Sequence, residues 1–234
     1  MIRVEQLSKS YRRRSVLRNL NLEAAAGTCT VLLGANGAGK TTLLRILAGL
    51  TEPDTGRVVV NGFDLKTHAQ QARQQLGLFS HQTLLYNDLS AVQNLRFYCR
   101  LYQVQYPESR IETLLQQAGL AGRSNEPVRN LSHGCQQRLA LLRAILHNPA
   151  VLLLDEPARG LDEQALTFLN NMLQEALESR KTILLTTHQP AGLHCPVHHV
   201  LRLSAGALQE RPLFEGFGPA GAEKIADQER GRYD

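Results

Sequence analysis

GANGAGKT, running from Gly34 to Thr41, is the stretch whose reading decides the fold. It has the G-x-x-x-x-G-K-T spacing, follows the apolar run CTVLL (29–33) and opens the helix-like run TTLLRILAG (41–49). That order of strand, loop and helix is the context in which such a motif acts. Gly34, Gly37 and Gly39 let backbone N–H groups wrap a phosphate chain, and the helix N-terminus adds the positive end of its dipole. Lys40 then neutralises β and γ oxygens, and Thr41 offers a hydroxyl to Mg2+. The expected nucleotide-binding set is Gly34, Ala35, Asn36, Gly37, Ala38, Gly39, Lys40, Thr41 and Thr42, with a nucleoside triphosphate as ligand.

The complementary half is VLLLDEP, residues 151–157. Its apolar residues make a buried strand ending in Asp155, a carboxylate suited to the Mg2+ shell. Glu156 follows at once, placed to accept a proton from an attacking water. A strand capped by a solvated acidic turn would look the same in isolation. Downstream of a matched phosphate loop, the pair reads as metal ligand and general base.

Outward from these anchors, LGLFS (76–80), TILLTTH (182–188) and HHVLRLS (198–204) are also continuous apolar runs, the pattern of a parallel sheet covered on both faces. Residues 2–8 and 16–24 alternate as strands do, and RVVVNG (57–62) ends in an Asn-Gly turn. In DEQALTFLNNMLQEALESR (162–180), Ala165, Phe168, Leu169, Met172, Leu173, Ala176 and Leu177 form one helical stripe behind Asp162 as N-cap. PESRIETLLQQAGLAG (107–122) aligns Ile111, Leu114, Leu115 and Ala118, with Pro107 at its start and Gly119 near its end. Residues 83–147 contain no buried-strand run. The expected fold is α/β: a phosphate-loop NTPase with a mostly parallel central sheet, a small antiparallel β subdomain and a helical insertion. One domain is expected over residues 1–205, with 83–147 inserted in it. Residues 206–234, rich in Gly, Pro and charge, form a weakly patterned tail.

With 234 residues and 43% hydrophobic content, one elaborated domain can bury a good core. The net charge of +5 comes largely from scattered arginines. The run Arg12, Arg13 and Arg14 reads as a solvated loop rather than a nucleic-acid patch. Cys29, Cys99, Cys135 and Cys195 lie far apart with no CxxC pair, which suggests neither a disulfide framework nor a zinc ribbon. The N-terminal MIRVEQLSKS lacks the apolar core of a signal peptide, and no run approaches the roughly 18 to 20 apolar residues of a membrane span. GLHCPVHHV (192–200) gathers His194, Cys195, His198 and His199, but neighbours on a strand point to opposite faces, so these side chains do not converge simply on a metal.

In their order, these motifs resemble the ATP-binding cassette family, the ATPase subunits of ABC transporters, over about residues 1–205. Tyr11, 29 positions before Lys40, looks like the aromatic that stacks on adenine. Gln82 looks like the glutamine that joins Mg2+ and the attacking water to the membrane partner. LSHGCQQR (131–138) stands where the family signature stands, so Leu131, Ser132, His133, Gly134 and Cys135 would face the ATP of an opposite chain. ARGLD ends in Asp162, which matches the loop that crosses to that chain, and His188 looks like the switch histidine beside the γ-phosphate. The resemblance implies ATP and Mg2+ as ligands, Glu156, His188 and Gln82 as catalytic groups, and Thr41, Gln82 and Asp155 around Mg2+. It also implies a head-to-tail homodimer, integral membrane subunits as partners, no nucleic acid, and a peripheral place on the cytoplasmic side of the inner membrane.

His133 and Cys135 depart from the usual signature. His133 is expected to keep a negative φ, and Cys135 cannot reproduce the paired donor and acceptor of the usual Gln amide. FSHQTLLYNDLSAVQNLRFYCRLY (79–102), LLTTHQP (184–190) and QQRLALLRAILHNPAVLLLDEP (136–157) are similar to the ATPase subunits of haem exporters in cytochrome c maturation. Exporters of drugs or polysaccharides share much of this framework, and a soluble cassette of the iron–sulfur assembly type fits the length. A plain phosphate-loop kinase would leave the signature, Asp162 and His188 unexplained.

Overall fold

A computed structural model describes residues 1–12, 14–80, 82–187 and 193–211. Strands β1 (Ile2–Tyr11) and β2 (Arg14–Ala24) pair antiparallel, and β3 (Cys29–Leu33) leads through the glycine loop into helix α1 (Lys40–Leu47). Strands β4 (Thr55–Val60) and β5 (Phe63–Asp64) are joined by Asn61 and Gly62, with φ of 47° and 87°, the tight turn that keeps a hairpin's strands from splaying. There follow α2 (Ala69–Gln74), β6 (Leu76–Phe79), α3 (Ala91–Tyr102), α4 (Pro107–Gln117) and α5 (His133–Ile145). The chain then forms β7 (Val151–Asp155), α6 (Glu163–Glu178), β8 (Thr182–Thr186), β9 (His199–Ser204) and β10 (Ala207–Arg211).

The larger sheet has the order β10-β9-β3-β8-β7-β6, parallel except for β10. The smaller sheet, β2-β1-β4-β5, is antiparallel. This is the α/β architecture expected, and its apolar runs follow from strand parity. Leu32, Val151, Leu153 and Leu184 face a core shared with α1 and the small sheet, while Val31, Leu152, Leu154, Ile183 and Leu185 face a second core closed by α5 and α6. Side chains alternate across a strand, so a sheet covered on both sides needs apolar residues at every position.

Helices α3, α4 and α5 build a third core around Leu95, Ile111, Leu114, Leu139 and Leu142. Helix α5 is a shared wall: Ala140, Leu141 and Ala144 face the sheet, and Leu139, Leu142 and Cys135 face the insertion. Its apolar residues therefore make no single stripe. Ser90 and Gln93 form a reciprocal capping box at α3, and Asp162 caps α6 by accepting from Ala165 N–H at 2.7 Å. The sheet continues past residue 205, where the sequence suggests only a tail. Ala205 and Gly206, with φ of 49° and 80°, turn the chain into β10. An edge strand has one covered side at most, so ALQER shows little apolar pattern. Residues 212–234 lie outside the described residues.

Candidate nucleotide site

The order β3-β8-β7 brings the glycine loop and Asp155 to the same C-terminal edge of the parallel sheet, where such sheets bind ligands. Gly39 precedes α1 with φ 109°, and a Cβ there would meet Val16 Cγ1 and Leu17 Cδ2 at 3.0 Å. The loop can therefore lie flat on the β2 hairpin only with glycine at this position. Lys40 follows, 7% exposed, and its Nζ donates to Gly34 O at 2.6 Å and Ala35 O at 3.3 Å. The same ammonium lies 3.8 Å from Glu156 Oε1.

Thr41 Oγ1 donates to Asp155 Oδ2 at 2.8 Å, and Thr186 Oγ1 donates to Asp155 Oδ1 at 2.6 Å. One carboxylate thus ties α1 to the ends of β7 and β8. Thr41 and Asp155 together offer hard oxygen donors from two elements, a set that fits Mg2+, which keeps several waters and takes few protein ligands. When bound, the ion would neutralise charge on the β and γ oxygens. Glu156 has φ 53°, unusual for a residue with a Cβ, and its N–H donates to Thr186 O at 3.1 Å and Thr186 Oγ1 at 3.0 Å. Those bonds hold a backbone strain of the kind found at reactive positions.

A cavity of about 280 Å³ runs along this edge, lined by Arg14, Val16, residues 35–42, Asp155, Glu156 and Arg159. Arg14, Val16 and Arg159 were not expected there. Arg14 belongs to the run read as a solvated loop, and no spacing rule marks an exposed arginine as a wall of a cavity formed by distant elements. An adjoining cavity of about 540 Å³ shares Arg14, Val16 and Ala35 to Ala38.

The other expected site residues among the described ones lie outside both cavities. Tyr11 ends β1, 46% exposed, with Lys9 Nζ 5.6 Å from its ring centroid. Gln82 is exposed and its carbonyl accepts from Ser80 Oγ. Leu131 is buried, and Ser132 caps α5, its Oγ accepting from Cys135 N–H at 3.4 Å. His133 opens the helix with no positive φ, and Gln137 Nε2 donates to its Nε2 at 3.2 Å. Gly134 abuts Asp162. Cys135 turns inward: its sulfur accepts from Arg138 Nη2 at 3.4 Å and Arg123 Nη1 at 3.7 Å. The side chain expected to face an opposite ATP is thus packed in the helical core, because the third residue of α5 points at α3 and α4. His188 lies outside the described residues. Among the described residues no group of three His, Cys, Asp or Glu could hold a metal.

Residues 17–159 match the family described as ABC transporter. The chain belongs to the ABC transporter family. It is an ATPase cassette of that family, and the solved structures it resembles are cassettes too. One is the ATP-binding subunit of an ABC transporter, with TM-score 0.87 and 27% identity, covering 97% of this chain and 98% of that one. Another is the dimeric post-hydrolysis state of an ATP-binding cassette bound to ADP and Pi, with TM-score 0.80 and 25% identity, covering 92% and 99%. Among relatives, the Nod factor export ATP-binding protein I of Cupriavidus metallidurans is 38% identical over 218 residues, 92% of this chain and 71% of the relative. The protein of that name from Cupriavidus pinatubonensis is matched over only 58% of its length. The cytochrome c biogenesis ATP-binding export protein CcmA of Vibrio vulnificus is 36% identical over 203 residues, 87% of this chain and 99% of the relative.

Proposed function

We propose that this ABC ATPase powers an exporter through a separate membrane subunit, with Glu156 as the base that activates water. The observation that carries this reading is the meeting of Lys40, Thr41, Asp155 and Glu156 at one sheet edge. Lys40, held between two loop carbonyls, is placed for β and γ oxygens. Glu156 lies on the cavity wall, next in the chain to the carboxylate that would hold Mg2+. Glu156→Gln keeps the shape and removes the base, so hydrolysis should fall by about 10² to 10⁴ while ATP still binds. Normal turnover in that variant would take Glu156 out of this role.

Residues 131–135 line neither cavity of their own chain, which supports a site completed by the signature of a second copy. ATP should then drive head-to-tail dimerisation, measurable by sedimentation with Glu156→Gln. No helix among the described residues is long and apolar enough to cross a membrane, and we assign the membrane role to a partner. The face for it is the exposed apolar patch beside Gln82: Leu84, Tyr86, Phe97 and Leu101. Tyr86 and Phe97 meet edge to face at 4.9 Å, and Phe97 and Leu101 share one side of α3.

For the cargo, we favour the haem-exporter reading of cytochrome c biogenesis over the Nod-factor type. The support is length: the match spans 99% of the Vibrio vulnificus CcmA and 71% of the Cupriavidus metallidurans protein. Deleting the gene should abolish c-type cytochromes, and in the intact strain the protein should sit at the cytoplasmic face of the inner membrane and co-purify with small integral membrane subunits. Intact cytochromes in the deletion strain would favour another exported species.

A further inference from the structure

Cys29 and Cys195 stand 166 residues apart in the chain, yet their Sγ atoms lie 4.0 Å apart and both side chains are buried. Cys29 begins β3, the strand that ends at the glycine loop. Cys195 belongs to the irregular stretch 193–198 that leads into β9. Two bonds dock that stretch on the same residue: Cys29 N–H donates to His198 Nδ1 at 3.1 Å, and His198 N–H donates to Cys29 O at 2.9 Å. Cys99 and Cys135 sit in the helical core instead.

The geometry points to a modification site: Cys29 and Cys195 form an oxidant-responsive pair whose disulfide pins the stretch before β9 onto β3 and slows ATP turnover. Its second half rests on the ATPase reading. With hydrogen peroxide as oxidant, the Cys195 thiolate attacks one peroxide oxygen, the O–O bond breaks, and hydroxide leaves a sulfenic acid. The Cys29 sulfur then attacks that sulfur, loses its proton and displaces water. Two thiols and one peroxide become one disulfide and two waters, and a dithiol reverses the link by exchange. Cys195 is suited to attack first, because the contact between the two sulfurs holds its thiol below the ordinary value. The same contact, with burial, pushes Cys29 up.

Bond formation closes the sulfurs from 4.0 Å to about 2 Å. The irregular stretch must make that movement, since β3 is bonded on both sides within the sheet. Cys195 follows His188 by seven residues, so the link ties the chain just beyond the expected switch histidine to the strand that feeds the phosphate loop.

The full chain, reduced and then treated with hydrogen peroxide, alkylated and digested, should yield peptides joined through Cys29 and Cys195, lighter by two hydrogens than the free pair. ATP turnover should fall in proportion to the linked fraction and return with dithiothreitol. Cys195→Ser should keep its turnover in dithiothreitol and lose the peroxide response, with Cys195→Ala as the second variant should serine disturb the fold. Absence of the linked peptide while Cys99 or Cys135 is oxidised would overturn the proposal. So would linked protein with unchanged turnover, or a Cys195→Ser protein that peroxide still slows through other thiols. The link is read by mass without nucleotide, so a reduced protein lacking ATPase activity would sink the functional reading and leave the thiol pair standing.

Discussion

A methyl group on Gly134 would lie 2.3 Å from Asp162 Oδ2, so the first turn of α5 and the N-cap of α6 touch within one chain. The other oxygen of that carboxylate accepts from Ala165 N–H at 2.7 Å. Asp162 is therefore both a helix cap and the wall against which the signature glycine rests. Gly134→Ala should displace Asp162 and cost about 0.5–2 kcal/mol, the range for a lost cap, seen as a lower unfolding midpoint. The double variant with Asp162→Ala should lose less than the two single losses added together. Strict additivity would mean the contact is soft.

Cys135→Gln would restore the amide usual in this signature, yet it should not tighten ATP binding. Position 135 points into the core among Leu131, Leu139 and Leu142, beside Arg123 and Arg138. The longer side chain should overpack it and destabilise the fold by about 1–3 kcal/mol. Urea unfolding and nucleotide titration on the same protein would check both halves.

Thr41→Val keeps the shape and removes the donor to Asp155. It also removes a hydroxyl that would hold the ion, and loss of one such group around a metal costs about ten- to a hundredfold in affinity, so half-maximal turnover should need roughly that much more Mg2+. Binding of ATP measured in a chelator should change little. An unchanged Mg2+ requirement would remove Thr41 from the metal site.

His147 stacks on Tyr102 at 3.8 Å, its Nε2–H donates to Leu76 O at 3.0 Å, and its Nδ1 has no hydrogen-bond partner among the described residues. Burial lowers its pKa to about 4, outweighing the bond to Leu76. The unfolded chain, with a value near about 6.5, takes up the proton first as pH falls. Stability is therefore complete above that value, declines as pH drops toward about 4, and loses up to about 3 kcal/mol. His147→Gln should narrow the gap between melting temperatures at about pH 7.5 and about pH 5.

Much of this was legible in the sequence because it is local. The spacing from Gly34 to Thr41, the strand before it and the helix after it place a phosphate loop without any tertiary knowledge. The unbroken apolar runs at 29–33, 151–154 and 182–185 announce a sheet covered on both faces, because alternation would appear if one face met water. Asp162 as a cap is likewise local, since its partner is three residues away. Strand β10 was not legible, because an edge strand makes little demand on its side chains. Arg14 was hidden in a basic run that resembles any solvated loop.

Sequence by itself determined the fold class, the phosphate loop and the pairing of Asp155 with Glu156 at a strand end. Each depends on residue type, spacing and period within one segment. Only the tertiary structure decided that Cys135 turns inward, that Gly134 rests on Asp162, and that Cys29 meets Cys195. A parallel sheet and its covering helices bring together segments far apart in the chain, and the direction of a side chain on a helix is settled by what packs against that helix.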